Sequence, residues 1–186
     1  MEKLHTYTES GDGASPWTFE IRLKFLIWEF VWAAFCAWTP KPLNPWRLFI
    51  LRLFGAQIEG RPFVHQRARI QFPWNLSLGH LACLGDGANL YTLGKVTVEA
   101  QAIVAQEAYL SAGTHDFGHL SVPLQTAPIL IQEYAFIGAR AFVMPGVTVG
   151  ARTVVGAGSV VTKDMPADSI CAGNPCRVLK IREIIK

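Results

Sequence analysis

From Ile131 the chain repeats every six residues: IQEYAF, IGARAF, VMPGVT, VGARTV, VGAGSV and VTKDMP run on without interruption. Aliphatic residues stand at positions 131, 137, 143, 149, 155 and 161. Four places after each of the first five comes a small or β-branched residue: Ala135, Ala141, Val147, Thr153 and Ser159. A helix gathers apolar residues about every 3.6 positions and a half-buried strand about every second one, so neither explains this period. A period of six suits a parallel β-helix, in which each hexapeptide makes one short strand and one turn. The aliphatic residue then points into a prism, and the small residue points inward beside a corner. Gly138, Gly150 and Gly156 follow the aliphatic position, where a turn favours a small or φ-permissive residue.

The same register runs upstream. Ile58, Val64 and Ile70 form one set, Leu78, Leu84 and Leu90 a second, and Val98, Val104 and Leu110 a third. Two residues are extra between Leu90 and Val98. From Leu110 to Ile131 the gap is twenty-one, three beyond a multiple of six, so the repeats pause for an excursion over 114–128. Long unpatterned segments inside a compact domain are commonly functional. About fourteen hexapeptides at three per turn predict about five coils, roughly 24 Å tall at the usual strand spacing.

Before the repeats the pattern changes. From Phe25 to Trp38 the one charge is Glu29, and the segment carries Trp28, Trp32 and Trp38. Arg22 and Lys24 precede it, and Pro40, Pro42 and Pro45 end any helix. A second apolar stretch, Trp46 to Phe54, contains Arg47 and Arg52. A membrane-spanning helix needs about 20 apolar residues, so the first run is short for a span. Two readings stay open for residues 17–54. They form an interfacial anchor, with aromatics at headgroup depth and cations on anionic lipid, or a helical cap that packs on the domain or a neighbouring subunit. The chain thus divides into a polar N-terminus and aromatic helical segment, 1–57, and a β-helix with its tail, 58–186.

Composition narrows the class. Of 186 residues 51% are apolar and 17% charged, which excludes intrinsic disorder. The net charge of +3 comes without a run of Lys and Arg, so no nucleic-acid partner is expected. Cys36, Cys83, Cys171 and Cys176 do not make a disulfide framework at this length and read as buried, inert thiols. The first sixteen residues lack a signal-peptide pattern. The expected location is cytoplasmic, peripheral on the inner face of the cytoplasmic membrane if the helices bind lipid.

The closing segment VVGAGSVVTKDMPADSICAGNPCRVLKIRE is similar to the end of the galactoside, maltose and nodulation acetyltransferases. WRLFILRLFGAQI, PWNLSLG, LGDGANLY, YLSAGTHDF and AGNPCRVLK, in that order, resemble the hexapeptide-repeat O-acetyltransferases of the colanic acid biosynthesis type. The resemblance covers nearly the whole chain from about Trp17. It implies a mainly β fold, a left-handed parallel β-helix, to which the residues themselves add N-terminal helices, the excursion near 114–128 and a tail, Val178 to Lys186, that reads as a short C-terminal helix. The handedness comes from the resemblance, since general rules favour right-handed crossovers. It also implies a homotrimer, acetyl-CoA lying between neighbouring subunits, no required metal, and transfer of acetyl to a sugar hydroxyl in exopolysaccharide biosynthesis. The acceptor would be a sugar or a lipid-linked oligosaccharide.

In the resemblance His115 is the general base. The chemistry is consistent: a sugar hydroxyl is too weak an acid to attack a thioester unaided, and imidazole titrates near neutrality. Attack would be direct, with backbone N–H groups at a coil corner holding the oxyanion. Asp116 either fixes the imidazole tautomer or bonds the loop backbone. Asn89 and Thr92 both match the stretch where relatives place an asparagine near the acceptor. Ala139 and Ala157 match positions along the pantetheine arm. Thr162, Lys163, Arg177 and Lys180 match positions near the nucleotide end, where cations meet phosphates. Two rival functions remain. A γ-class carbonic anhydrase would use His80, His115 and His119 as metal ligands, and a non-catalytic, membrane-attached scaffold would need none of these residues.

Overall fold

The computed structural model describes residues 4–7 and 15–184. Most of the polar N-terminal stretch lies outside these residues, as do the last two positions of the tail. The repeats stack into a three-sided parallel prism. On its first face Ile58, Leu78, Val98, Ile131 and Val149 lie in register, one above another. On the second face the ladder is Val64, Leu84, Val104, Ile137, Val155 and Cys171. On the third it is Ile70, Leu90, Leu110, Val143 and Val161. Nearly all are fully buried. Each buried aliphatic side chain stabilises the fold by about 1.5–3 kcal/mol, so the ladders hold the coils together. There are five complete coils and an incomplete sixth, in which Met165 bridges to Val149 and Ser169–Gly173 pairs with Val154 and Val155. The winding is that of a left-handed β-helix.

The corners require the small residue that the expectation allowed after the ladder aliphatic, and place the φ-permissive position two residues later. The residue three places after the ladder aliphatic takes the left-handed conformation, as Leu81, Gln101, Tyr134, Arg140, Arg152 and Gly158 do. Gly138, Gly150 and Gly156 do not. At Gly138 and Gly150 glycine serves close approach instead. A Cβ at Gly150 would lie 2.4 Å from the backbone nitrogen of Ala167, and one at Gly138 2.6 Å from that of Ala157.

Three insertions stack at one edge, between the third face and the first. They are the short helical turn Pro73–Asn75, the step at 92–95 and the excursion. Thr92 clamps two of them together. Its buried Oγ1 accepts from the Phe72 N–H at 2.7 Å and donates to the Phe72 carbonyl at 2.9 Å. The excursion is an antiparallel hairpin rather than an unpatterned loop: Gly113–His115 pairs with Leu124–Thr126, and His5–Thr6 adds a third strand.

The C-terminal tail corrects a second expectation. Cys176–Ile181 is a strand, not a helix, and runs antiparallel to Ser169–Gly173. The last coil has no successor to pair its free backbone groups, and the returning tail satisfies them.

Helix α1 spans Phe19–Phe35, with the Thr18 hydroxyl accepting from the Ile21 N–H at its start. Helix α2 spans Asn44–Leu53 and buries Leu48, Ile50 and Leu51 in the core. Two side chains fasten them to the first coil. The Trp28 indole N–H donates to the Ile70 carbonyl at 2.8 Å. Arg47 is wholly buried and donates to the carbonyls of Val64 (2.9 Å) and Pro40 (3.0 Å) and to Thr39 Oγ1 (2.8 Å). A smaller cluster of Phe72, Leu93 and Leu124, with Tyr7, Trp17, Ile21 and Phe25 against it, joins α1 to the root of the hairpin.

Candidate active site

The hairpin leaves the wall at Gly113. A Cβ there would meet Leu93 Cδ1 at 2.9 Å and Tyr91 Cε1 at 3.2 Å, so glycine lets the chain depart here without displacing either side chain. Two residues on, His115 is exposed at the edge of the prism. Its Nδ1 lies 2.7 Å from the Val122 carbonyl oxygen. A carbonyl can only accept, so Nδ1 carries a proton and, in the neutral ring, Nε2 holds the lone pair. Val122 has φ of 48°, uncommon for a β-branched residue, and this conformation sits in the return of the hairpin that delivers the carbonyl.

Asp116 takes up the loop-bonding task. Its Oδ1 accepts from the Gly118 N–H at 2.9 Å and its Oδ2 from Gln125 Nε2 at 3.2 Å, with His119 Nε2 at 3.8 Å. The imidazole of His115 is oriented by Val122, not by the neighbouring carboxylate. Thr92 is committed to the clamp described above. Asn89 lies on the outer side of the third face, in register with Arg69 and Tyr109, and no hydrogen bond joins it to His115. His80 sits at a different edge, where its Nδ1 accepts from the Arg61 N–H at 3.4 Å, away from the hairpin that carries His115 and His119.

Residues matched to the cofactor fall on two edges. Ala139 and Ala157 follow one another up the edge between the second and third faces, where the Gly158 N–H donates to the Ala139 carbonyl at 2.9 Å. Beside them a Cβ at Gly158 would meet nothing within 4 Å, so the strip is bare. Thr162 and Lys163 lie exposed at the hairpin edge, in an open groove shared with Lys95, Pro128 and Gly146. Arg177 and Lys180 lie exposed on the terminal strand. Among the described residues, Lys163, Arg177 and Lys180 form no ion pair. A bare strip for a thin chain and unpaired cations for phosphates fit an acyl-CoA. The Val122 carbonyl escaped the sequence reading because a backbone group leaves no side-chain signature.

A prism of five complete coils and an incomplete sixth, with a hairpin at one edge, is the architecture of the hexapeptide-repeat acyltransferases. The bacterial transferase hexapeptide family (six repeats) matches residues 128–163. Over 160 residues the chain is 42% identical to the Escherichia coli protein named colanic acid biosynthesis acetyltransferase WcaF, covering 86% of this chain and 88% of that one. The solved maltose O-acetyltransferase of Clostridium difficile superimposes with a TM-score of 0.77 at 26% identity, covering 90% of each chain. A galactoside acetyltransferase in complex with coenzyme A has the same fold, with a TM-score of 0.82 at 24% identity over 91% of this chain and 86% of that one. The chain belongs to the hexapeptide-repeat acetyltransferases, similar to the colanic acid biosynthesis type, and is an acyltransferase.

Proposed function

We propose that the protein transfers acetyl from acetyl-CoA to a hydroxyl of a sugar in an exopolysaccharide precursor, with His115 as general base. The observation that carries this reading is the Nδ1 contact to Val122, which leaves Nε2 of an exposed histidine ready to take a proton. Nε2 removes the hydroxyl proton as the sugar oxygen attacks the thioester carbonyl. The thiolate of CoA then leaves and receives the proton back from the imidazolium. Lys163, Arg177 and Lys180 would meet the phosphates, and Ala139 and Ala157 would let the pantetheine arm lie close to the coil. Because these residues stand on different edges of one prism, a complete site would form between two copies, which supports a homotrimer. The test is incubation with labelled acetyl-CoA and a panel of free and lipid-linked oligosaccharides, read by mass spectrometry. Acetyl transfer to a saccharide is expected, and transfer to none of them would refute the reading.

The partner surface is proposed to be a lipid bilayer, entered by α1 and α2. No described helix is long and apolar enough to cross a membrane. Yet Phe19, Leu23, Leu26, Ile27 and Phe30 line one side of α1, opposite buried Trp28, and Phe30 is 68% exposed. Trp38, Trp46, Phe49 and Leu53 extend the exposed surface. The indole N–H groups of Trp38 and Trp46 donate to the Ala34 and Phe35 carbonyls, so what faces outward is hydrocarbon. Arg22, Lys41 and Arg52 are exposed along the same segment and suit anionic headgroups. The protein should therefore float with liposomes containing phosphatidylglycerol. The double variant Leu26→Asp, Phe30→Asp should lose at least about tenfold in lipid affinity, since each side chain carries about 1.5–3 kcal/mol of burial. Equal flotation of variant and wild type would exclude this surface.

A further inference from the structure

A groove of about 590 Å³ separates α1 from the outer side of the third face. Trp32 and Glu29 form its helical wall, and Arg69, Asn89, Tyr91 and Tyr109 its sheet wall. The floor is aromatic: Tyr109 stacks on Phe142 at 5.0 Å and 11° and lies 6.2 Å from Tyr91. Burial raises the pKa of the Tyr109 hydroxyl, which keeps it a neutral donor. The polar groups converge without partners. Gln66 Oε1 is buried there and has no hydrogen bond. Among the described residues Asn89 and Arg69 form no side-chain hydrogen bond, and Arg69 forms no ion pair. Neighbouring Arg67 is held by Asp86, so Arg69 is the cation left to a ligand. The groove also reaches the catalytic hairpin, because Tyr91 packs against its root at Gly113.

Aromatic side chains beside a few convergent amide and hydroxyl groups are the chemistry of a carbohydrate site. An unpaired guanidinium at the same wall selects an anion, bidentately if it is a carboxylate or phosphate. We propose that this groove binds an acidic sugar of the acceptor, next to the residue that is acetylated. Arg69 meets its carboxylate or phosphate, Tyr91 and Tyr109 carry its ring, and Asn89 and Gln66 bond its hydroxyls. The assignment rests on the sugar-acceptor reading and adds the charge of the acceptor to it.

The test uses the full-length protein with acetyl-CoA and three matched oligosaccharide series: neutral, uronate-bearing and phosphate-bearing. The acidic series should show kcat/KM at least about tenfold above the neutral one, and whichever acidic series leads identifies the anion. Arg69→Gln should abolish that preference through KM for the saccharide, leaving KM for acetyl-CoA and the circular dichroism spectrum unchanged. Arg69→Lys should restore part of it. Equal use of neutral and acidic acceptors by the wild type, or a preference that survives Arg69→Gln, overturns the groove assignment while leaving the sugar reading intact. Transfer to no saccharide overturns both.

Discussion

Replacing His115 by alanine is expected to lower the rate of acetyl transfer by about 10²–10⁴-fold, the usual contribution of a positioned general base. Acetyl-CoA affinity should change little, because the residues assigned to the cofactor lie on the coils and terminal strand rather than on the hairpin. The loss should fall on kcat, since in the proposed mechanism the imidazole acts on the proton that moves during attack and not on a group held equally before it. The geometry makes this specific to Nε2. Nδ1 is engaged by Val122 at 2.7 Å, so glutamine or asparagine at position 115 could mimic a hydrogen bond but could not take a proton. His115→Asn should therefore be nearly as inactive as His115→Ala. Single-turnover transfer and calorimetric CoA titration together decide the point. Near-wild-type turnover by either variant would remove His115 from the mechanism.

The prism was legible because the ladder period depends on local repetition alone. Within each set from Ile58 to Val161 the ladder residues stand six apart, and the strand registers stack the sets as expected. What failed depends on pairing across distance. The hairpin over the excursion is completed by His5–Thr6, and Gln125 reaches the Thr6 hydroxyl across 119 positions of sequence, a partnership no local pattern announces. The tail carries residues compatible with a helix, but the open edge of Ser169–Gly173 offered hydrogen bonds that a helix would have left unused. The candidate site, whose residue roles are those proposed above, was open to local reading in part. GTHD marked His115, whereas the group that sets its tautomer is a carbonyl seven residues away. Thr92 looked equivalent to Asn89 as a polar residue in the right stretch. Its burial and its two bonds to Phe72 assign it to the corner, and only Asn89 faces a groove.

Arg47→Ala should destabilise the protein by about 3–5 kcal/mol, from stranded buried acceptors together with lost packing. Arg47 is 0% exposed and has no carboxylate partner; carbonyls and a hydroxyl hold it instead. Burial lowers the pKa of its guanidinium, with the nearby Cys36 thiol working in the opposite sense. Its bonds tie three segments together: the link at Thr39–Lys41, helix α2, and the first coil at Val64. Removing the fork leaves the buried Val64 carbonyl and the Thr39 hydroxyl oxygen without the Arg47 donor, while the Pro40 carbonyl keeps the Leu43 N–H, and it opens a cavity beside Leu51. Methionine would fill the volume but supply no donor, so Arg47→Met should lose less than alanine yet more than Arg47→Lys, which keeps one or two bonds. The order Ala, Met, Lys in urea midpoints separates hydrogen bonding from packing. Wild-type stability in Arg47→Met would show that the guanidinium bonds contribute nothing net and that α2 is held by Leu48, Ile50 and Leu51 alone.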